Sequence, residues 1–161
     1  MAAMPSVHIV FASTSGHTEH VVNQIASLLP SLVAGLTVTV RRAEEASAED
    51  LAKGDVLLLA CGSWNTGGIE GQLNPYMHVY LKETVKDADL RGRSVAVVGL
   101  GDSRYRYTAR AKEYLEEFVT SHGGTLLGEG LRVVNEPYGQ EEAGEAWAQS
   151  VAEKVRSPPL A

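Results

Sequence analysis

Five short apolar runs, at residues 7–11, 36–40, 56–60, 95–100 and 131–134, alternate with longer stretches of helical spacing at 18–29, 48–53, 71–84, 109–121 and 141–155. Runs of five or six apolar residues without alternation suit strands covered on both faces. Their alternation with helical segments predicts right-handed crossovers and a parallel sheet with helices on both sides. The expected fold is therefore α/β, three-layered and doubly wound, with five parallel strands. Boundary chemistry agrees. Ser47 stands three residues before Asp50 in a capping-box-like start, Gly123-Gly124 follows a helical stretch as a stop, and Pro158-Pro159 lie just past the last one. With no linker, repeat or low-complexity segment, residues 1–161 read as one domain, long enough for a full core.

Composition narrows the function. Hydrophobic content of 44% with 21% charged residues describes a soluble globular chain. A net charge of −6 argues against nucleic acid as a partner, because such binding rests on a positive footprint. The lone cysteine, Cys61, excludes an internal disulfide, and its place at the end of an apolar run suits a buried, inert thiol. The N-terminal residues lack a basic and an apolar signal region, and no apolar stretch is long enough for a membrane span. A cytoplasmic protein is expected.

In doubly wound sheets, ligands bind beyond the carboxyl ends of the strands where the strand order reverses. Three loops are placed to serve there. The first, ASTSGHTE at residues 12–19, joins a strand to a helix N-terminus with Ser13, Thr14, Ser15, Gly16, His17 and Thr18. Hydroxyls, backbone N–H groups and the helix dipole favour an anion at such a turn. It lacks the lysine of a nucleoside-triphosphate loop, so neutral donors would hold the anion. The second loop, CGSWNTGGIEGQLN at residues 61–74, sets Gly62, Ser63, Trp64 and Asn65 among glycines, a poor place to bury an indole. The third, GLGDSRYRYT at residues 99–108, carries Leu100, Gly101, Asp102, Tyr105 and Tyr107. A phosphate cradle beside two aromatic-bearing loops makes a site for a phosphorylated, flat aromatic ligand, and flavin mononucleotide (FMN) fits all three.

These residues resemble the flavodoxin family, in particular its short-chain members. Ser13, Ser15, Gly16 and Thr18 are similar to the family's [ST]-x-[ST]-G-x-T phosphate loop. Trp64 matches the residue covering one flavin face, and Gly101, Asp102, Ser103, Tyr105 and Tyr107 match a Gly-Asp-Ser-x-Tyr-x-Tyr stretch whose first tyrosine stacks on the other. The likeness continues through EGLRVVNEP to Trp147, and TLLGEGLRVV lacks the insertion of long-chain members. The resemblance implies strand order 2-1-3-4-5, non-covalent FMN, and a monomeric carrier of single electrons. Its expected partners are a flavodoxin reductase or other electron donor and an acceptor redox enzyme. The alternative is an FMN-dependent quinone reductase or oxidase acting directly on an organic substrate, which aromatic cover on both flavin faces disfavours.

Departures from the family pattern are specific. His17 stands where Asn is usual, so phosphate affinity could become pH-sensitive. His17 and His20 lack a third ligand nearby, and no metal site is expected. Asn65 follows Trp64 where close relatives have Gly. In the family that peptide flips to accept a hydrogen bond from the half-reduced flavin, and Asn tolerates positive φ better than other non-glycine residues. Glu70 and Asp102 are the carboxylates near the expected flavin, while Arg104 and Arg106 flank Tyr105. Two other classes with related topology fail. A phosphoacceptor domain needs acidic residues where Ala12-Ser13 and Gly62-Ser63 stand, and a dinucleotide-binding domain needs G-x-G-x-x-G in the first turn.

Overall fold

The computed structural model describes residues 5–14, 16–64, 72–101, 110–135 and 137–156, with the side chains of Trp64, Gln72 and Arg156 excepted. Strands β1 (Ser6–Ala12), β2 (Thr37–Arg42), β3 (Val56–Trp64) and β5 (Ser94–Gly101) are parallel, with β1 beside both β2 and β3, and β5 on the far side of β3. The fifth position is shared by two short strands, β6 (Thr125–Leu126) and β7 (Leu131–Val134), each paired in parallel with β5. The order of the five positions is therefore 2-1-3-4-5. A two-residue strand, β4 (Gln72–Leu73), pairs antiparallel with the end of β3.

Helices cover both faces, which explains the unbroken apolar runs. Val7, Ile9 and Phe11 of β1 pack in a core with Val22, Ile25 and Leu29 of α1 (His17–Leu32) and with Trp147 and Val151 of α4 (Glu141–Arg156). On the other face, Val10 and Ala12 join a core with Met77 of α2 (Pro75–Val79), Leu81 of the π-helical turn that continues it (Tyr80–Thr84), and Leu115 and Val119 of α3 (Ala111–Ser121). Alternate residues of one strand thus enter different apolar layers, with the buried His8 as the polar exception in β1. Trp147 anchors α4 by donating its indole N–H to Glu129 O at 2.8 Å.

Four local expectations change. β2 is an edge strand and is mostly exposed, because two 3₁₀ turns, Ala43–Glu45 and Ala48–Ala52, replace a covering helix in its crossover to β3. β3 runs on through Trp64, so Cys61 to Trp64 extend the sheet where a loop was expected, and β4 pairs with that extension. The stretch read as one helix over 71–84 is divided into β4, α2 and the π-helical turn. α1 continues past Leu29 through Pro30, with Val33 N–H on Leu29 O at 3.0 Å closing its end.

The crossover also holds a buried polar chain. Asp50, 2% exposed, accepts from Ser47 N–H at 2.8 Å and pairs with His8 Nε2 at 2.9 Å, while His8 Nδ1 faces Thr39 Oγ1 at 2.6 Å. This chain ties the edge strand and the 3₁₀ turn to β1. Tyr80 completes the tie by donating its hydroxyl to Ser47 O at 2.8 Å.

Candidate cofactor site

Parallel register brings the carboxyl ends of four strands to one edge. Ala12 lies opposite Cys61, Gly62 opposite Leu100, and Gly101 opposite Val134. The first loop, the Trp64 strand end and the third loop therefore leave the sheet side by side, as an edge site requires.

The phosphate turn is organised by Ser13. Its Oγ accepts from Gly16 N–H at 3.1 Å and lies 3.4 Å from Glu19 N. Gly16 precedes α1 with φ of 91°, a left-handed conformation that favours glycine. Two of the turn's backbone N–H groups are thus taken by Ser13 within the protein. The hydroxyl's acceptor capacity is thereby used, leaving its proton to donate outward. Thr18 is 4% exposed, and among the described residues its hydroxyl has no hydrogen-bond partner. A Cβ placed on Gly62 would lie 3.6 Å from Thr18 Oγ1, so this strand end and the first turn of α1 are in direct proximity. A threonine hydroxyl at a helix N-terminus, on a residue 4% exposed, fits the terminal phosphate of FMN.

Other expected site residues divide into supports and residues outside the described set. Ser63, 7% exposed, accepts Ala111 N–H at 3.1 Å and so fastens the start of α3 to the end of β3. The Leu100 side chain is buried in the core, which leaves its backbone for any ligand contact. Gly101 O accepts Asn135 N–H at 2.6 Å. Gly62 and Trp64 stand on β3 and Thr14 in the first loop, whereas Ser15, Asn65, Glu70, Asp102, Ser103, Arg104, Tyr105, Arg106 and Tyr107 lie outside the described residues. Cys61 is fully buried, and desolvation pushes its thiol up to about 12, as an inert core cysteine requires.

Sequence reasoning passed over the loop after the fifth strand position. Asn135 occupies φ of 68° there, and the Tyr138 ring packs against His17 and His20 at centroid distances of 5.7 and 4.7 Å. The available signal was topological, since a parallel strand at this position also ends at the ligand edge.

A doubly wound sheet with an anion-suited turn at its carboxyl edge defines a nucleotide-binding α/β protein, and comparison with known proteins narrows this further. The Flavodoxin family profile matches residues 9–147. A flavodoxin from Maridesulfovibrio salexigens is 30% identical over 148 residues, 91% of this chain and 97% of that protein. One from Nitratidesulfovibrio vulgaris is 32% identical over 149 residues, 92% and 97% of the two chains. The crystal structure of oxidised flavodoxin 2 from Bacillus cereus superposes with a TM-score of 0.83 at 28% identity, over 92% of this chain and 99% of that one. The chain belongs to the flavodoxin family, and is an FMN-binding electron-transfer flavoprotein. Among the described residues, no helix is long and apolar enough to cross a membrane.

Proposed function

We propose that the turn at residues 13–18 holds the FMN phosphate and that Trp64 and Tyr105 enclose the flavin ring. The strand ends around Gly62, Ser63, Leu100 and Gly101, with Asn65, Asp102 and Tyr107, complete its setting. FMN supplies the redox chemistry, and the chain binds it, shields its faces and sets its potential. In this reading the protein acts on no substrate of its own. It works in the cytoplasm as a monomeric single domain, taking single electrons from a reductase and passing them to an acceptor redox enzyme. The observation that carries the reading is the open Thr18 hydroxyl, on a residue 4% exposed, beside a turn organised by Ser13.

Absorption spectra recorded during stepwise reduction of the purified protein test the proposal. A yellow protein that accumulates a blue one-electron form before bleaching supports single-electron carriage. Direct two-electron bleaching, or rapid quinone turnover with a nicotinamide donor and no reductase, would overturn it.

A further inference from the structure

Asn135 and Tyr138, between β7 and α4, touch two parts of the cofactor edge. Asn135 donates to Gly101 O at 2.6 Å, beside the third loop. Tyr138 reaches the first loop, meeting the His17 ring edge-on at an interplanar angle of 86° and the His20 ring at 55°. Tyr138 is 55% exposed, so its ring is not there to fill the core. His17 is the first residue of α1, directly before the buried Thr18.

Glu19 is already paired beside this cluster, whereas the buried Nε2 of His20 has no hydrogen-bond partner among the described residues. Glu19, on the same turn, pairs with Arg42 of β2. His20 lies against Tyr138, with its Nε2 3.7 Å from Glu141 Oε1 of α4. Residues 12–19 contain neither lysine nor arginine, which leaves His17 as the side chain of that loop able to bring positive charge to a phosphate.

Building on the phosphate placement above, we propose that Tyr138 is a positioning residue that holds His17 at the phosphate end of FMN, making phosphate recognition depend on a proton at His17. The Tyr138 ring restricts rotation of the imidazole. Protonated His17 donates a charge-assisted hydrogen bond to a phosphate oxygen, and the neutral ring offers a weaker one. The effect opposes the loss of charge on the phosphate itself, whose second ionisation lies near pH 6. The cofactor is thereby retained under mild acid, where a loop with a neutral residue at this position would loosen it.

The test titrates the cofactor-free protein with FMN and with riboflavin at about pH 5.5 and about pH 8. The ratio of the two affinities reads the phosphate alone and cancels changes at the ring. At the acid pH, the wild-type preference for FMN is expected to exceed that of His17→Asn by about fivefold, the difference between a charge-assisted and a neutral hydrogen bond. The two proteins converge at the higher pH. Tyr138→Ala moves toward the His17→Asn profile, and Tyr138→Phe keeps the wild-type profile because the ring makes the contact. Identical pH profiles for wild type and His17→Asn, or an unchanged profile in Tyr138→Ala, would overturn the proposal while leaving the phosphate site intact. Equal affinities for riboflavin and FMN in the wild type would instead remove the phosphate placement itself.

Discussion

Gly99 sets β5 directly against the start of α3, and adding one methyl group there should disturb both the fold and the flavin loop beyond it. A Cβ on Gly99 would lie 2.3 Å from Lys112 N and 2.6 Å from its Cα, both backbone atoms of α3. Ordinary contact begins near 3.4 Å, so the start of α3 must retreat by about 1 Å. The bond from Ala111 N–H to Ser63 Oγ, at 3.1 Å, would then pass beyond hydrogen-bonding range. Overpacking costs about 1–3 kcal/mol and the lost bond about 0.5–1.5, offset by about 0.4–1 from the stiffer unfolded chain. Gly99→Ala is thus expected to destabilise the cofactor-free protein by about 0.5–4 kcal/mol in urea unfolding followed by circular dichroism, with an unchanged m value. Affinities for FMN and for riboflavin should both fall, since Ser63 at the end of β3 loses the bond that fastens it to α3. Gly62→Ala is the control, because among the described residues its Cβ meets only Thr18 Oγ1, at an ordinary 3.6 Å, and should cost almost nothing in stability. A Gly99→Ala protein within about 0.5 kcal/mol of wild type, or a Gly62→Ala protein destabilised as much, would refute the argument from close approach.

Thr18→Val keeps the side-chain shape but removes the open hydroxyl, so FMN affinity measured by fluorescence quenching should fall about tenfold or more while riboflavin affinity holds. Ser13→Ala should also lower urea stability, because the Gly16 and Glu19 N–H groups lose their acceptor. Asp50 is held down to about 2, because hydrogen bonds from Ser47 N–H, His8 and Lys53 outweigh the opposing effect of burial, and burial also lowers His8. Both shifts contribute stability above the ordinary pKa values, and it is lost as pH falls, from about 6.5 for His8 and from about 3.8 toward 2 for Asp50. Asp50→Asn replaces one of the two acceptor oxygens by an NH2 donor and removes the negative charge facing Lys53 and Arg41. It should be less stable at neutral pH, with the gap to wild type narrowing in acid denaturation series. Cys61 should resist alkylation near pH 8 until denaturant is added, and rapid labelling of the native protein would show that the end of β3 opens. Replacing both Arg104 and Arg106 by Glu should make the second flavin potential more negative by about 20–70 mV per unit charge at low salt, as read by spectroelectrochemistry. No shift would make them bystanders.

The apolar runs of β1, β3 and β5 were readable because these strands are covered on both faces, and two-sided burial leaves an unbroken mark in the residues themselves. The Ser13–Thr18 turn was readable for a related reason, since an anion-suited strand-to-helix turn needs its hydroxyls and glycine within a few consecutive positions. The residues of β2, TVTVRR, alternate polar and apolar and end in two arginines, the pattern of a strand with one open face. Their exposure follows from the two short 3₁₀ turns that occupy the crossover. The pairing of β4 with Trp64 likewise depends on where the returning chain lies, as does the direction of the Ser13 hydroxyl. His8 and Asp50 are separated by 42 positions, and Tyr138 and His17 also come from distant parts of the chain. Local propensity and periodicity describe what a segment can bury. Which distant group meets a given side chain is decided only when both cores close and bring the strand ends and their loops to a common edge.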